Sequence, residues 1–553
     1  MKELRDKPEI EEVEKGNAVK EEEKKTTSNK QGLCTLEEAL EIAGTGRYSY
    51  VLFAISAYSL MSSVAELFGI GLLTTAAQCD LELNSYRKGL ISSVPVLGII
   101  ASGHLWGYIA DTNGRKFTLS MTMAGTFLMS VISSFSFNWI VMALTKFTSA
   151  LFASGTFAVI YTLLGESVPQ SKRAKFLLYN STGIMLSHAF MATIAYPILS
   201  LSFVLPIGDN FAYRPWRLLA QTYAMMSGVN LMLLLNFIYE SPKYYLSKNK
   251  HEEGIAVLAK IYTANTGNHV DEFPVQSVLF EEEVVTKKST NFFNSIWAQT
   301  VPLLKKKYIK NTLLIFYTSS LVYTIGPAIV IWLPDILNAY VNNMHRLNED
   351  VFCGIIQSPR EGRINSTIST VTRCDDHVKD LTLGFMAANG LFLFFLTLIL
   401  NIIIKCIGKR WTYIGVHLVC AAAAFSLNFV KSFASVLFFI SMMSNGVCVG
   451  ITTTYSVEVF PTYLRVIELY SVLILTGGAV VGYFLPSDKK ESKKALKAPP
   501  ARICASGAPL SLRALDNGRT PKPAPNVVIS VEMVGETIFL RFLPSLGHVL
   551  CHL

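Results

Sequence analysis

The sequence predicts an all-α membrane protein made of two sets of transmembrane helices. Two observations carry that prediction. Charged residues are only 16% of the 553-residue chain and hydrophobic residues are 51%, whereas soluble domains carry about 25% charged residues. The deficit is also uneven. Charges collect in tails and loops, and between them run apolar segments of roughly 20 residues, the length that crosses a bilayer as a helix. A large soluble core is therefore excluded. The net charge of +9 is the excess of Lys and Arg expected on cytoplasmic loops, not a nucleic-acid footprint. The nine cysteines show no C-x-x-C pair and no zinc spacing, so no metal site or cofactor is expected.

Residues 1–46 form a mixed-charge tail, with too few apolar residues to pack, that reads as disordered. It has no signal-peptide h-region. Within it Thr35 to Ala43 has the pattern of a short amphipathic helix. Eleven apolar segments of spanning length follow, near 50–73, 89–110, 117–136, 139–164, 177–200, 217–239, 311–333, 381–405, 411–430, 432–457 and 466–485. Lys and Arg follow the second span at Arg115 and Lys116, the fourth at Lys172, Arg173 and Lys175, and the eighth at Lys405, Lys409 and Arg410. The loop after the third span is uncharged, and the one after the fifth holds Arg214 only. This bias puts the N-terminus in the cytoplasm. The Lys-rich stretch 241–310 divides the chain into a six-helix half, 47–240, and a second half, 311–485. Inside that linker Glu252 to Tyr262 reads as a soluble amphipathic helix, with Ile255, Leu258 and Ala259 on one side.

Residues 334–380 make the largest outer loop. Asn365 opens a glycosylation sequon there. Cys353 and Cys374 lie in the same loop, and an oxidising lumen favours a disulfide between them. The chain's end departs from the pattern. The eleventh span stops near Pro486, and 486–553 reads as an atypical, mostly disordered tail. Eleven spans also leave Lys489, Lys490, Lys493 and Lys494 outside, against the charge bias. The second half therefore reads as incomplete, and sequenced transcripts are expected to show another ending with a twelfth apolar segment.

One short turn carries a motif. Gly107, Asp111, Gly114, Arg115 and Lys116 resemble the G-x-x-x-D-x-x-G-R-K signature between helices 2 and 3 of the major facilitator superfamily, with Thr112 where that family usually has a basic residue. Glu166, Pro169 and Arg173 resemble its loop between helices 4 and 5. Tyr239, Glu240, Ser241, Pro242 and Lys243 resemble its P-E-S-P-R motif after helix 6, with Tyr239 for the first proline. Glu458, Pro461 and Arg465 resemble its E-x-F-P-T-x-x-R motif, and Gly408, Lys409 and Arg410 a reduced repeat of the first. Trp106 with Gly107, Cys79 with Asp80, and Lys88 with Gly89 point within the family to the sugar-porter-like and synaptic vesicle glycoprotein 2-related branch. The resemblance implies a major facilitator fold of two six-helix halves that rock about a central site. It also implies that the ion pairs Asp111 with Arg115, Glu166 with Arg173, and Glu458 with Arg465 act as gates at the cytoplasmic side. The plainer reading of these charges is topology alone.

Inside the spans three ionisable residues stand out, because placing them there is costly. Glu66 suits a cationic group or a coupling proton, or is a structural carboxylate. Lys146 pairs with Glu66, meets an anionic group, or snorkels to an interface. His188 carries protons or is simply hydrogen-bonded. No P-loop, nucleophile elbow or H-E-x-x-H occurs, so ATP-driven transport and hydrolysis have no support, and no enzyme is expected. The expected protein is a secondary transporter of a small organic ion or sugar-like solute. Its partners would be that solute, a coupling proton or ion, and the bilayer, in the plasma membrane or an intracellular vesicle. The alternative is a non-transporting membrane glycoprotein of transporter fold acting in trafficking or binding.

Overall fold

A computed structural model describes residues 33–207, 211–279, 305, 309–346, 350–357 and 377–452. The chain enters through strand β1 (Leu33–Thr35) and helix α1 (Leu36–Ala43). The first half follows as α2 (Arg47–Phe68), its continuation α3 (Ile70–Ala76), α4 (Ser85–Asn113), α5 (Arg115–Ser134), α6 (Trp139–Ser167), α7 (Gln170–Asn180), α8 (Thr182–Leu199) and α9 (Pro215–Phe237). Between α8 and α9, Leu205–Pro206 (β2) pairs antiparallel with Ala212–Tyr213 (β3). The linker holds α10 (Pro242–Ser247), α11 (His251–Thr266) and β4 (Ser277–Leu279), and the second half holds α12 (Ile309–Asn342), α13 (Phe352–Gln357), α14 (Asp380–Ile407), α15 (Lys409–Ser426) and α16 (Ala434–Met443).

Among the described residues, eight helices are long and apolar enough to cross a membrane, six of them in the first half. The expected spans near 311–333 and 411–430 fall on α12 and α15. The span at 466–485 and the tail beyond it lie outside the described residues. The end of the bundle that carries β1 is called the near end here, and the opposite end the far end.

Local sequence sets the helix ends. Asn84 and Asn138 cap α4 and α6 by accepting the backbone N–H of Arg87 and Val141, each at 2.8 Å. At Gly114 the backbone takes φ +107°, and α5 begins at the next residue. An L side chain rarely adopts that conformation, and a Cβ here would also strike the Glu240 carboxylate. Serines and threonines let helices approach closely, as in membrane packing generally. Ser102 and Ser154 hydrogen-bond between α4 and α6 at 2.6 Å, and Trp106 Nε1 donates to Leu151 O at 2.6 Å.

The expected tail 1–46 needs correction over its last part, because Leu33–Ala43 is folded. Thr35 and Glu38 form a reciprocal capping box at the start of α1. β1 pairs in parallel with β4, 244 residues downstream, with Leu33 opposite Ser277. Leu36, Ala39, Leu40 and Ala43 are buried with Val257, Leu258 and Ile261 of α11. Asn265 of α11 donates to the carbonyl of Gly44 at 2.8 Å and accepts from the N–H of Ser49 at 3.2 Å. The apolar side of the helix expected at Thr35 to Ala43 finds its partner in the linker.

Candidate functional site

The clearest intramembrane charge is not free. Glu66 on α2 and Lys146 on α6 are each 2% exposed and meet at 2.6 Å. Ser149 donates to the same Glu66 oxygen at 2.8 Å, Ser130 donates to the other, and Lys146 also reaches Ser130 at 3.3 Å. Both charges are thus paired and hydrogen-bonded, the condition under which burial is tolerated. The pair lies wholly within the first half, on α2, α5 and α6.

His188 lies elsewhere. It lines a small pocket between the halves, with Phe68, Leu72, Met191 and Tyr223 on one side and Leu333, Pro334 and Met386 on the other. In this state the pocket has room for little more than a water molecule. Gly69, where α2 gives way to α3, lets the ring of Tyr223 lie against the backbone. Tyr223 donates its hydroxyl to Met191 O at 2.9 Å, and His188 Nδ1 sits 3.1 Å from Ile184 O. Neither Glu66 nor Lys146 is part of this lining.

At the far end the halves are locked together. Gly71 on α3 lies so close to the carbonyl of Ile331 on α12 that a Cβ would not fit. Lys88, at the start of α4, ion-pairs with Asp335 of α12 at 2.7 Å, with the Lys88 side chain 7% exposed. Beside them Asp80 holds Arg217 at 2.8 Å and Trp216 Nε1 at 3.0 Å, and Arg217 donates to the carbonyls of Ser134 and Ser136 at 3.0 and 2.7 Å. Cys79, next to Asp80, is disulfide-bonded. Asp335 and Arg217 were missed in the sequence because each looks like an ordinary charge near a helix end. Only their distant partners mark them out.

At the near end the motif residues converge on Arg115. Asp111 contacts it at 3.1 Å, and Glu166 at 3.0 Å. Asp111 is mostly exposed, whereas Glu166 and Arg115 are largely buried. Gly107 lies one turn back on the same helix, α4. The expected pairing of Glu166 with Arg173 does not form. Glu166 takes Arg115 and the hydroxyl of Ser241, the latter at 2.6 Å, while Arg173 turns to Glu37 of α1 at 2.7 Å. The reason is the folded α1, which brings a second carboxylate to α7. Glu240 caps α5, accepting the N–H groups of Arg115 and Lys116 at 2.7 and 3.0 Å. A carboxylate is favoured there by the exposed N–H groups and the helix dipole. Glu41 of α1 accepts the N–H and hydroxyl of Ser171 at 2.9 and 3.0 Å. Those bonds, the backbone one foremost, hold its carboxyl below the ordinary range.

The pair Glu458 with Arg465, the sequon at Asn365, and the thiol of Cys374 lie outside the described residues. The backbone of Cys353 is in α13, but its side chain lies outside them too. Among the described residues no cluster of His, Cys, Asp and Glu is arranged to hold a metal.

The sequence profile of the Major Facilitator Superfamily matches residues 48–486. Synaptic vesicle glycoprotein 2B of Mus musculus is 24% identical over 341 residues, which cover 58% of this chain and 49% of that protein. Synaptic vesicle glycoprotein 2A of Rattus norvegicus is 22% identical over 324 residues, covering 54% and 43%. The chain spans about half the length of the curated relatives it matches. Among solved structures, the partially occluded inward-open xylose transporter XylE from E. coli aligns with a TM-score of 0.55 at 13% identity, over 78% of this chain and 92% of that one. A D-xylose-proton symporter aligns at 0.53 and 12% identity, over 80% and 91%. At such identity these two likenesses speak for the fold alone.

Proposed function

The chain belongs to the Major Facilitator Superfamily, and from that premise we propose that it is a secondary transporter moving a small organic solute by alternating access. The observation that carries the reading is the small pocket between the halves, lined from both and sealed at the far end by the Lys88–Asp335 pair and the Gly71 contact. Rocking the halves apart at that seal would expose the pocket to the far side. The Lys and Arg bias supports a cytoplasmic near end and N-terminus, in a plasma or vesicle membrane. Asp111, Arg115, Glu166 and Glu240 would then hold helix ends together on the cytoplasmic side. Arg173 belongs with α1 in this proposal, and Glu458 and Arg465 remain the candidate gate of the second half.

In this proposal the Glu66–Lys146 pair, to which two serines donate, is structural, and the solute's own gradient drives transport. The test is uptake by proteoliposomes of a panel of organic cations, sugars, carboxylates and neutral heterocycles, with and without an imposed proton gradient. Uptake indifferent to that gradient is the expected result. Acceleration by protons that Glu66→Gln abolishes would move the coupling site to Glu66. A second reading follows from the relatives, which are named as vesicle glycoproteins, and from the tight pairing of the intramembrane charges. It makes the protein a non-transporting membrane glycoprotein. Binding at the pocket with no uptake of any compound would favour it.

A further inference from the structure

Two loops at the far end of the first half are apolar, although they lie beyond the ends of their spans. Residues 117–145 and 176–208 contain no Lys, Arg, Asp or Glu. Each run covers a span and also the loop that follows it, after α5 and after α8. Phe135 and Phe137 in the first loop, and Leu201, Val204, Leu205 and Ile207 in the second, are all exposed, Phe137 at 66%. Ring contacts join the two loops into one surface. Phe203 stacks on Tyr213 of β3 with centroids 6.1 Å apart, and Tyr213 meets Phe135 at 6.5 Å. Tyr213 donates its hydroxyl to Gln221 of α9 at 2.7 Å, and Gln221 donates to Ser134 Oγ at 3.1 Å. The stem of the β2–β3 ribbon is thus pinned against the far ends of α5 and α9, where the spans leave the bilayer.

The surroundings suit lipid better than water. Arg214 and Arg217 both pair with Asp80. In the ribbon the N–H of Ile207 donates to Phe211 O at 2.7 Å, and Pro206 has no N–H to satisfy, which lowers the cost of leaving water. The surface is continuous with the exposed Tyr196 on the last turn of α8. Exposed apolar patches mark contact surfaces, and aromatic side chains favour the membrane–water boundary. The second half differs, because its described far-end loops carry exposed Lys379, Asp380 and Lys431.

We infer that the far rim of the first half, the loop at Phe135–Phe137 with the ribbon at Leu201–Ile207, seats in the headgroup-to-acyl boundary of the far leaflet and moors that half at a fixed depth. The inference needs only that α5, α8 and α9 span the bilayer, so it is independent of the transport reading. The full-length protein is placed in phosphatidylcholine nanodiscs containing a lipid with a diazirine near the glycerol end of one acyl chain. Photolabelled residues are located by mass spectrometry. In parallel, hydroxyl radicals oxidise what water reaches, each residue being normalised to its rate in the unfolded chain. Residues 201–207 and Phe137 should take the lipid label. They should oxidise severalfold less than Val270 of the linker, which is 43% exposed against 56% for Leu205. Val204→Glu with Leu205→Glu should lower the lipid label on the ribbon and raise the oxidation of Phe137 and Ile207.

Oxidation of the ribbon at the rate of Val270 in the unsubstituted protein overturns the inference, whether or not the double variant folds. Protection from radicals without any lipid label means that protein covers the ribbon, and overturns it too. So does a folded double variant whose labelling and oxidation are unchanged.

Discussion

At the scale of single residues, the decisive fact is that Glu66 and Lys146 answer each other. Removing one partner of a buried pair leaves an uncompensated charge, which costs about 3–5 kcal/mol. Glu66→Gln or Lys146→Met alone should therefore lower the unfolding midpoint of the detergent-solubilised protein sharply. The double variant Glu66→Leu with Lys146→Met should recover most of the loss. A double variant as unstable as the sum of the singles would mean that the pair is not a unit. Both residues were legible as exceptions, because charge inside an apolar run is rare. Their mutual distance was not legible, since 80 residues separate them and nothing local says which helix faces which. His188 was legible in the same way, and its neighbour Ile184 follows from helical spacing. The apolar company it keeps on α12 and α14 does not.

At the scale of elements, α1 and α7 form a joint that the sequence half disclosed. Thr35 and Glu38 mark the start of α1 by themselves, but its docking on α11 depends on residues more than 200 positions away. That docking redirects Arg173 from Glu166 to Glu37. Arg173→Ala should therefore raise hydrogen exchange in residues 36–43 and leave Arg115–Glu166 untouched. Arg115→Ala should do the opposite, loosening the α4–α5 turn. Acidity should act on the same joint. The Glu41 carboxyl is depressed in the folded protein by its bonds to Ser171, so the contact is fully present above the ordinary carboxylate range. It weakens as pH falls through the lower folded value. Exchange over α1 should rise on acidification in the unsubstituted protein, and Glu41→Gln should lessen that rise, leaving the part due to Glu37 and Glu38. An identical acid response in the two proteins would count against the Glu41 contact.

At the scale of the whole molecule, the ordered spans and loop motifs were readable because bilayer length and Lys and Arg bias are properties of sequence. The closure of the two halves on each other was not. It depends on Lys88 meeting Asp335 and on Gly71 meeting Ile331, contacts that no local pattern announces. If the Lys88–Asp335 pair holds the far end shut, Lys88→Met should raise the labelling rate of Leu72→Cys by a membrane-impermeant maleimide from that side. A roughly tenfold rise corresponds to losing one charged hydrogen bond. The exchange Lys88→Asp with Asp335→Lys should return it towards the starting rate. Unchanged labelling in Lys88→Met would leave the seal to the apolar contacts alone.

The pairing of β1 with β4 has a consequence for how the chain is made. The strand at Leu33 leaves the ribosome 244 residues before its partner at Ser277. At about 5–20 residues per second of synthesis, that is a wait of about 12–50 s. All six helices of the first half have been translated by the time the two strands can meet. The closed ribbon is thus a late event of biogenesis, and its completion reports that all of the first half has been synthesised. A protease that cuts near Leu33 in nascent chains would lose access only once the linker has emerged, which gives the synthesis of this membrane protein a clock readable at the near end.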